Sequence, residues 1–299
     1  MTINPANTSN QKELHDLLLG TVSPRPIALA STVDLQGNIN LSPFSFFNIF
    51  STRPVVLVFS PSRRQRDNTT KHTLENLLDT KEVVINTVNY AMVEQVSLAS
   101  AEFSKEINEF VKAGLTEVKS EYVKPPRVKE SPASFECRVL EIKSLGHEGG
   151  AGNLAICEVV LIHVRDDIFT DAGKVDPTQV DSVARMGGDY YCHVMRESIF
   201  ELPRPPGANV IGFDRLPLEI RNSSVLTGNN LARLATITAL PTYSEVSAFV
   251  ENFQYDIPQN PGEDKTITIH KQAQGFLERG EIKKAWLLLL STKHSALWS

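Results

Sequence analysis

Pro26-Ile27-Ala28-Leu29-Ala30-Ser31-Thr32-Val33, followed by Asp34-Leu35-Gln36-Gly37-Asn38 and then by Ile39-Asn40-Leu41-Ser42-Pro43-Phe44, is the stretch that decides the fold class. The first eight residues form an apolar, partly β-branched run, the composition of a strand with a buried face. Gly37 and Asn38 suit positive φ, so the polar pentapeptide predicts a hairpin turn. The continuation through Phe50 is rich in aromatics but carries Pro43. A proline cannot donate to a ladder, which confines this run to a sheet edge or a bulged strand. Strand, turn and edge strand in immediate succession predict an antiparallel architecture.

The pattern extends outward from this hairpin. Val55 to Phe59 reads as a buried strand closed by Ser60-Pro61. A basic, polar connection follows to Thr80 and ends in a short amphipathic helix with Leu74, Leu77 and Leu78 at i, i+3, i+4. Glu82 to Val88 is the next strand, with helical stretches at Met92–Ser100 and Lys105–Ala113 and a C-cap at Gly114. Ala133–Leu145 and Leu154–Val164 read as a long antiparallel pair joined through the glycine-rich segment Gly146–Asn153. Asp189–Val194 offers one more strand. Pro203-Arg204-Pro205-Pro206-Gly207 interrupts both helix and sheet and marks a boundary, dividing the chain into 1–202 and 203–299. Beyond it, Asn229–Ala239, Tyr243–Phe253 and Ile282–Trp298 read as helices, two of them separated by Pro258–Asp264. The last carries an apolar stripe through Ala285, Leu288 and Leu289. These helices must bury one face, on the barrel or on a partner subunit.

Composition limits the function. The chain has 299 residues, 30 Lys+Arg against 35 Asp+Glu and a net charge of −5, which disfavours nonspecific nucleic-acid binding. The hydrophobic fraction of 41% and charged fraction of 22% are those of a folded domain. No apolar run is long enough to span a bilayer, and the polar N-terminus lacks a signal-peptide core, so the expectation is a cytoplasmic protein without a membrane role. Three cysteines with no CxxC pair argue against a disulfide framework and a zinc site.

No GxxxxGK[ST], HExxH or GxSxG occurs, and the glycines at 149, 150 and 152 lack dinucleotide-fingerprint spacing. His163 sits in an apolar strand and reads as a structural residue. Cys192 and His193 are adjacent and would point to opposite faces of a strand, so they cannot share a metal. One constellation stands out. Ser31, Thr32 and Ser45 offer hydroxyls beside apolar strands, and the 61–73 connection adds Arg63, Arg64, Arg66, Lys71 and Thr73. Hydroxyls and cations beside an apolar cleft suit a phosphorylated aromatic ligand: the phosphate takes charge-assisted donors and the ring takes flat walls.

At these residues the chain resembles the flavin reductase-like, FMN-binding split-barrel family of the flavoredoxin type. The likeness rests on Ser23–Thr32 (SPRPIALAST), Asn40–Asn48 (NLSPFSFFN), Arg53–Ser60 (RPVVLVFS), Lys71-His72-Thr73, Glu158-Val159-Val160 and Arg185–Tyr191 (RMGGDYY), in that order. It implies a mostly-β Greek-key split barrel of about six strands with surrounding helices. It also implies a homodimer with FMN near the subunit interface. By the same resemblance, Ser31, Thr32, Ser45, Phe46, Phe47 and Asn48 line the flavin, while Ser60, Lys71, His72 and Thr73 hold its phosphate end. Many relatives carry Asp at the position of His72. Reductases of the family commonly carry His where this chain has Asn153. The implied activity is transfer of two electrons through FMN from NADH or NADPH to an unidentified acceptor, with no catalytic side chain and no metal assigned. Two alternatives are a non-enzymatic FMN-binding or interaction protein and an FMN enzyme acting on another small substrate.

Overall fold

The structure is a computed structural model that describes residues 2–7, 10–207, 209–252 and 265–291. The chain divides into two compact units, Met1–Phe200 and Glu201–Ser299.

In the first unit the elements run α1 (Gln11–Thr21), β1 (Ala28–Val33), β2 (Ile39–Phe44), β3 (Phe47–Thr52), β4 (Val55–Phe59), α2 (His72–Thr80), β5 (Glu82–Asn86), α3 (Val93–Leu98) and α4 (Glu109–Ala113). They continue with β6 (Glu117–Val118), β7 (Arg127–Val128), β8 (Ala133–Ser144), β9 (Asn153–Val164), α5 (Pro177–Val180), β10 (Val183–Arg185) and β11 (Tyr191–His193). Seven strands form one antiparallel sheet in the order β2-β1-β5-β8-β9-β4-β3. That is one strand more than the family resemblance implied.

The strand order forces closure. β2 and β3 are the two edges, yet only Ser45 and Phe46 separate them in the chain. In a flat sheet those edges would lie about 29 Å apart, from six gaps of about 4.8 Å. The link from Phe44 to Phe47 reaches roughly 10 Å. The sheet must therefore curl into a barrel, split along the β2/β3 seam. The rings of Phe44 on β2 and Phe59 on β4 meet across that seam at 5.3 Å. Pro43 lies on edge strand β2, paired with Leu29 on β1, where its missing N–H costs no ladder bond.

Alternation along the strands makes two cores. Ala28, Ala30, Phe44, Leu57, Phe59, Val83, Ile85, Cys137, Val139, Ala155 and Cys157 fill the barrel with Leu77 of α2. Leu29 and Leu41 face outward and pack with Met92, Val96 and Phe110 around α3 and α4. The hairpin turn is held by Asp34, whose carboxylate accepts the backbone N–H groups of Gln36 and Asn38, with Gly37 at φ 93°.

Several sequence expectations shift. Leu78 is half exposed, and α2 buries Thr73, Leu74, Asn76 and Leu77 instead. The helix expected at 105–113 begins at Glu109 because the Asn108 side chain accepts the Phe110 N–H and caps it there. β11 joins β10 in a separate two-stranded sheet.

The second unit holds α6 (Leu218–Arg221), α7 (Gly228–Leu234), α8 (Tyr243–Asn252), α9 (Lys265–Glu278) and α10 (Ile282–Ser291). It has its own apolar core, centred on Trp286, whose indole N–H donates to the Leu234 carbonyl at 3.0 Å. α10 is not amphipathic: every residue from Ala285 to Ser291 is buried. α9 was not expected from the sequence, because the β-branched run Thr266–Ile269 masks its stripe of Ile269, Ala273, Phe276 and Leu277. The expected helix end at Phe253, the separating segment Pro258–Asp264 and the expected helical residues 292–298 lie outside the described residues. Among the described residues helix exceeds strand, 35% against 24%, so "mostly β" is corrected to a barrel with substantial helix. The excess comes from the helices described in the second unit and those of the first unit.

Candidate functional site

α2 opens the site. Lys71 occupies its N-cap in an extended conformation and supplies no side-chain cap. The first amides of a helix have no intrahelical acceptor and carry the positive end of its dipole. The start of α2 borders a polar cleft lined by Asn40 and Ser42 of β2, by Arg64, by Lys71, His72 and Thr73, by Ser100, Ala101, Glu102 and Phe103 after α3, and by Glu109 of α4. The Lys71 ammonium lies 5.1 Å over the Phe44 ring. Burial, with the Arg64 guanidinium adding to it, pushes its pKa down, and Glu102 opposes the shift. Glu109 is buried and its Oε2 accepts the Leu41 N–H at 2.9 Å. Burial pushes its carboxyl up and that bond opposes it.

A buried amide–hydroxyl network fixes the back of the cleft. Asn40 Nδ2 donates to Thr73 Oγ1 at 2.9 Å and to Thr32 Oγ1 at 3.3 Å, and Asn76 Nδ2 donates to Thr32 Oγ1 at 3.1 Å. Thr32 thereby anchors α2 to the β1–β2 hairpin. Ser31, its neighbour, points to the opposite face of β1 and its buried Oγ has no hydrogen-bond partner.

The expected residues do not all converge. Lys71, His72 and Thr73 line the cleft, and Thr32 supports it from behind. Ser45 and Phe46 form the link between the barrel edges, where the Phe46 carbonyl accepts the Ser60 N–H at 2.9 Å. Phe47 is half-buried against the barrel core, and Asn48 is exposed, its Oδ1 accepting the Ile49 N–H. Ser60 Oγ accepts the Asn153 N–H at 3.0 Å, while Asn153 Nδ2 donates to the Pro61 carbonyl. A Cβ on Gly152 would lie 2.8 Å from Ser60 Oγ, so this approach needs glycine.

The basic connection is ordered by the glycine-rich loop. Arg63 N–H donates to the Ala151 carbonyl and Gly150 N–H to the Arg63 carbonyl, and a Cβ on Gly149 would meet the Gln65 carbonyl at 3.0 Å. Most of the cations expected to bind ligand are already committed. Arg63 is held by Asn68, Arg64 by Thr69, Thr70 and Glu102, and Arg66 by Asp67 and Glu102. Among the described residues, Arg63 and Lys71 have no carboxylate at ion-pairing distance, and of these two only Lys71 lines the cleft. Asn40, Ser42, Ser100, Glu102 and Glu109 were missed. The polar alternation of Asn40 and Ser42 along β2 was a signal in the sequence; the other three come from segments whose approach no local pattern reports.

The motif segments also have structural roles. Arg25 and Arg185 exchange backbone hydrogen bonds, both 2.9 Å, and the buried Arg25 guanidinium donates to the carbonyls of Leu19, Val22 and Met186. Gly187 packs directly on the backbone of Gly20.

A donor set of one desolvated ammonium, helix-terminal amides and hydroxyls fits the phosphate end of a flavin mononucleotide. The chain is similar to known proteins. An uncharacterized protein of Aquifex aeolicus is 41% identical over 184 residues, covering 62% of this chain and 91% of the relative. Nitrilotriacetate monooxygenase component B from Bacillus cereus superposes with a TM-score of 0.62 at 28% identity, covering 68% of this chain and 98% of that one. A protein with a split barrel domain from Shewanella frigidimarina gives 0.58 at 28% identity, covering 70% and 100%. Among the described residues no helix is long and apolar enough to cross a membrane. The model of the flavin reductase like domain matches residues 19–177, spanning the barrel and its cleft, and the chain belongs to that family.

Proposed function

We propose that the protein holds FMN with its phosphate in the cleft at the N-terminus of α2 and works as an NAD(P)H-dependent, flavin reductase-like oxidoreductase. The observation that carries this reading is Lys71: a desolvated ammonium without a carboxylate partner, beside the amides of a helix N-terminus. Bound flavin supplies the two-electron chemistry, accepting hydride from NADH or NADPH. The chain's own residues bind and orient. Lys71 and the His72 and Thr73 amides take the phosphate, Thr32 and Asn40 hold α2 in place, and the Ser45–Asn48 segment borders the ring. Two copies of the chain pair, on this reading, through the apolar surface of β3, where Ile49 and Phe50 are exposed.

A second reading, an FMN-binding protein without efficient nicotinamide turnover, is favoured by Asn153. At the position where reductases of the family commonly carry His, it is buried and bonded to Ser60 and Pro61. Two measurements decide. The purified protein is titrated with FMN and riboflavin, with FMN expected to bind more tightly; equal affinity refutes the phosphate assignment. NADH and NADPH consumption with excess flavin as acceptor then separates the readings, no turnover with FMN bound leaving the second. Sedimentation tests the pairing, and a monomer that retains FMN removes it.

A further inference from the structure

The cleft already contains anions. Glu102 reaches Arg64 Nε at 3.5 Å with one carboxylate oxygen and Arg66 at 3.0 Å with the other. Glu109 lies in the same cleft. The cleft-lining Arg64 and Lys71 are therefore matched in number by Glu102 and Glu109. A phosphate monoester brings a charge of about −1.5 to −2 into this balanced site.

The two carboxylates are not equivalent. Glu109 is buried and tied to the Leu41 N–H, so it stays where it is. The Glu102 side chain is 56% exposed and, among the described residues, is held only by the two arginines. It can swing into water when another anion takes its place, at the cost of weak, solvent-screened pairs.

We propose that Glu102 is the affinity-setting residue of this cleft, an internal competitor that occupies Arg64 and Arg66 until a phosphate monoester displaces it, so that FMN is exchanged with solution and not permanently retained. This rests on the cleft being the phosphate site of FMN. Arg64 lines the cleft and is nearly buried; when Glu102 leaves, its Nε is released for the incoming phosphate while Thr69 and Thr70 keep Nη1 in place. Removing the Glu102 charge takes away both the competition and a like-charge repulsion. The consequence is specific to the phosphate: riboflavin, which lacks it, does not respond.

The test is a fluorescence titration of FMN and riboflavin into the native chain, Glu102→Gln and Glu102→Asp, at low and high salt. The expected result is an FMN Kd about tenfold lower in Glu102→Gln, a gain of ~1.4 kcal/mol. Riboflavin should stay within about twofold, Glu102→Asp should match the native chain, and the gain should shrink at high salt. An FMN Kd that is unchanged or raised in Glu102→Gln overturns the proposal and makes Glu102 a strut for the arginines. If neither flavin binds, the FMN reading itself fails, and stabilisation by inorganic phosphate in a thermal melt decides for Glu102. Larger stabilisation of Glu102→Gln than of the native chain sustains the competitor role, and equal stabilisation overturns it.

Discussion

Replacing Lys71 by Met should have two effects of opposite sign. The thioether keeps the stem over the Phe44 ring, where the ammonium now lies at 5.1 Å, and removes only the charge. A charge-assisted hydrogen bond to phosphate contributes about 1.5–3 kcal/mol, so FMN should bind roughly 10- to 150-fold more weakly, with riboflavin within about threefold. Without ligand the ammonium is a burden, since burial and Arg64 push its pKa below that of a free lysine. Between the folded and unfolded pKa values the unfolded chain binds more proton, so native stability climbs as pH rises through that window; below it the cost is present in full. Lys71→Met removes the cost and flattens the alkaline climb. Urea denaturation of the apoprotein from neutral to alkaline pH, alongside the two flavin titrations, reads both effects. A variant that loses FMN and riboflavin equally, or whose apoprotein is less stable by more than about 1 kcal/mol at pH 7, refutes the argument.

Glu136 is fully buried; burial alone would raise its carboxyl, but the N–H groups of Glu121 and Tyr122 and the His163 imidazole outweigh it and hold the pKa below the usual carboxylate range. Glu136→Gln should cost about 1–3 kcal/mol at neutral pH, the range for hydrogen bonds to a charged acceptor, and the part of that deficit that comes from the lowered pKa should be lost as pH falls through the folded pKa of the native carboxyl, measured by denaturation across the acid limb. Burial pushes the Cys157 thiol up to about 12, and Cys137 is raised as well, so a thiol reagent should titrate Cys192 alone in the native protein and all three cysteines in denaturant. Gly187→Ala should destabilise by about 1–3 kcal/mol in urea melts, because its Cβ would lie 2.8 Å from Gly20 Cα and neither backbone can yield.

Local chemistry alone determined much of the barrel. The run Ala28–Val33, the Asp34–Asn38 turn and Pro43 specify a hairpin with an edge strand, because strand period, positive φ and a missing donor act within a few residues. The same holds for the pair β8 and β9 and for the Gly114 cap at φ 65°. Motif order singles out Lys71, His72 and Thr73 without reference to their surroundings. Tertiary structure decided the rest. Closure depends on Ser45-Phe46 bridging opposite sheet edges, a property of strand order that no window of sequence contains. Whether α10 shows one apolar face or is buried all round depends on how many helices surround it. The arginines of the 61–70 connection look like ligand donors in sequence, yet Glu102, more than thirty residues away, pairs with two of them. Periodicity and turn chemistry are short-range and can be read along the chain; which charges meet is set by distances between segments that only packing brings together.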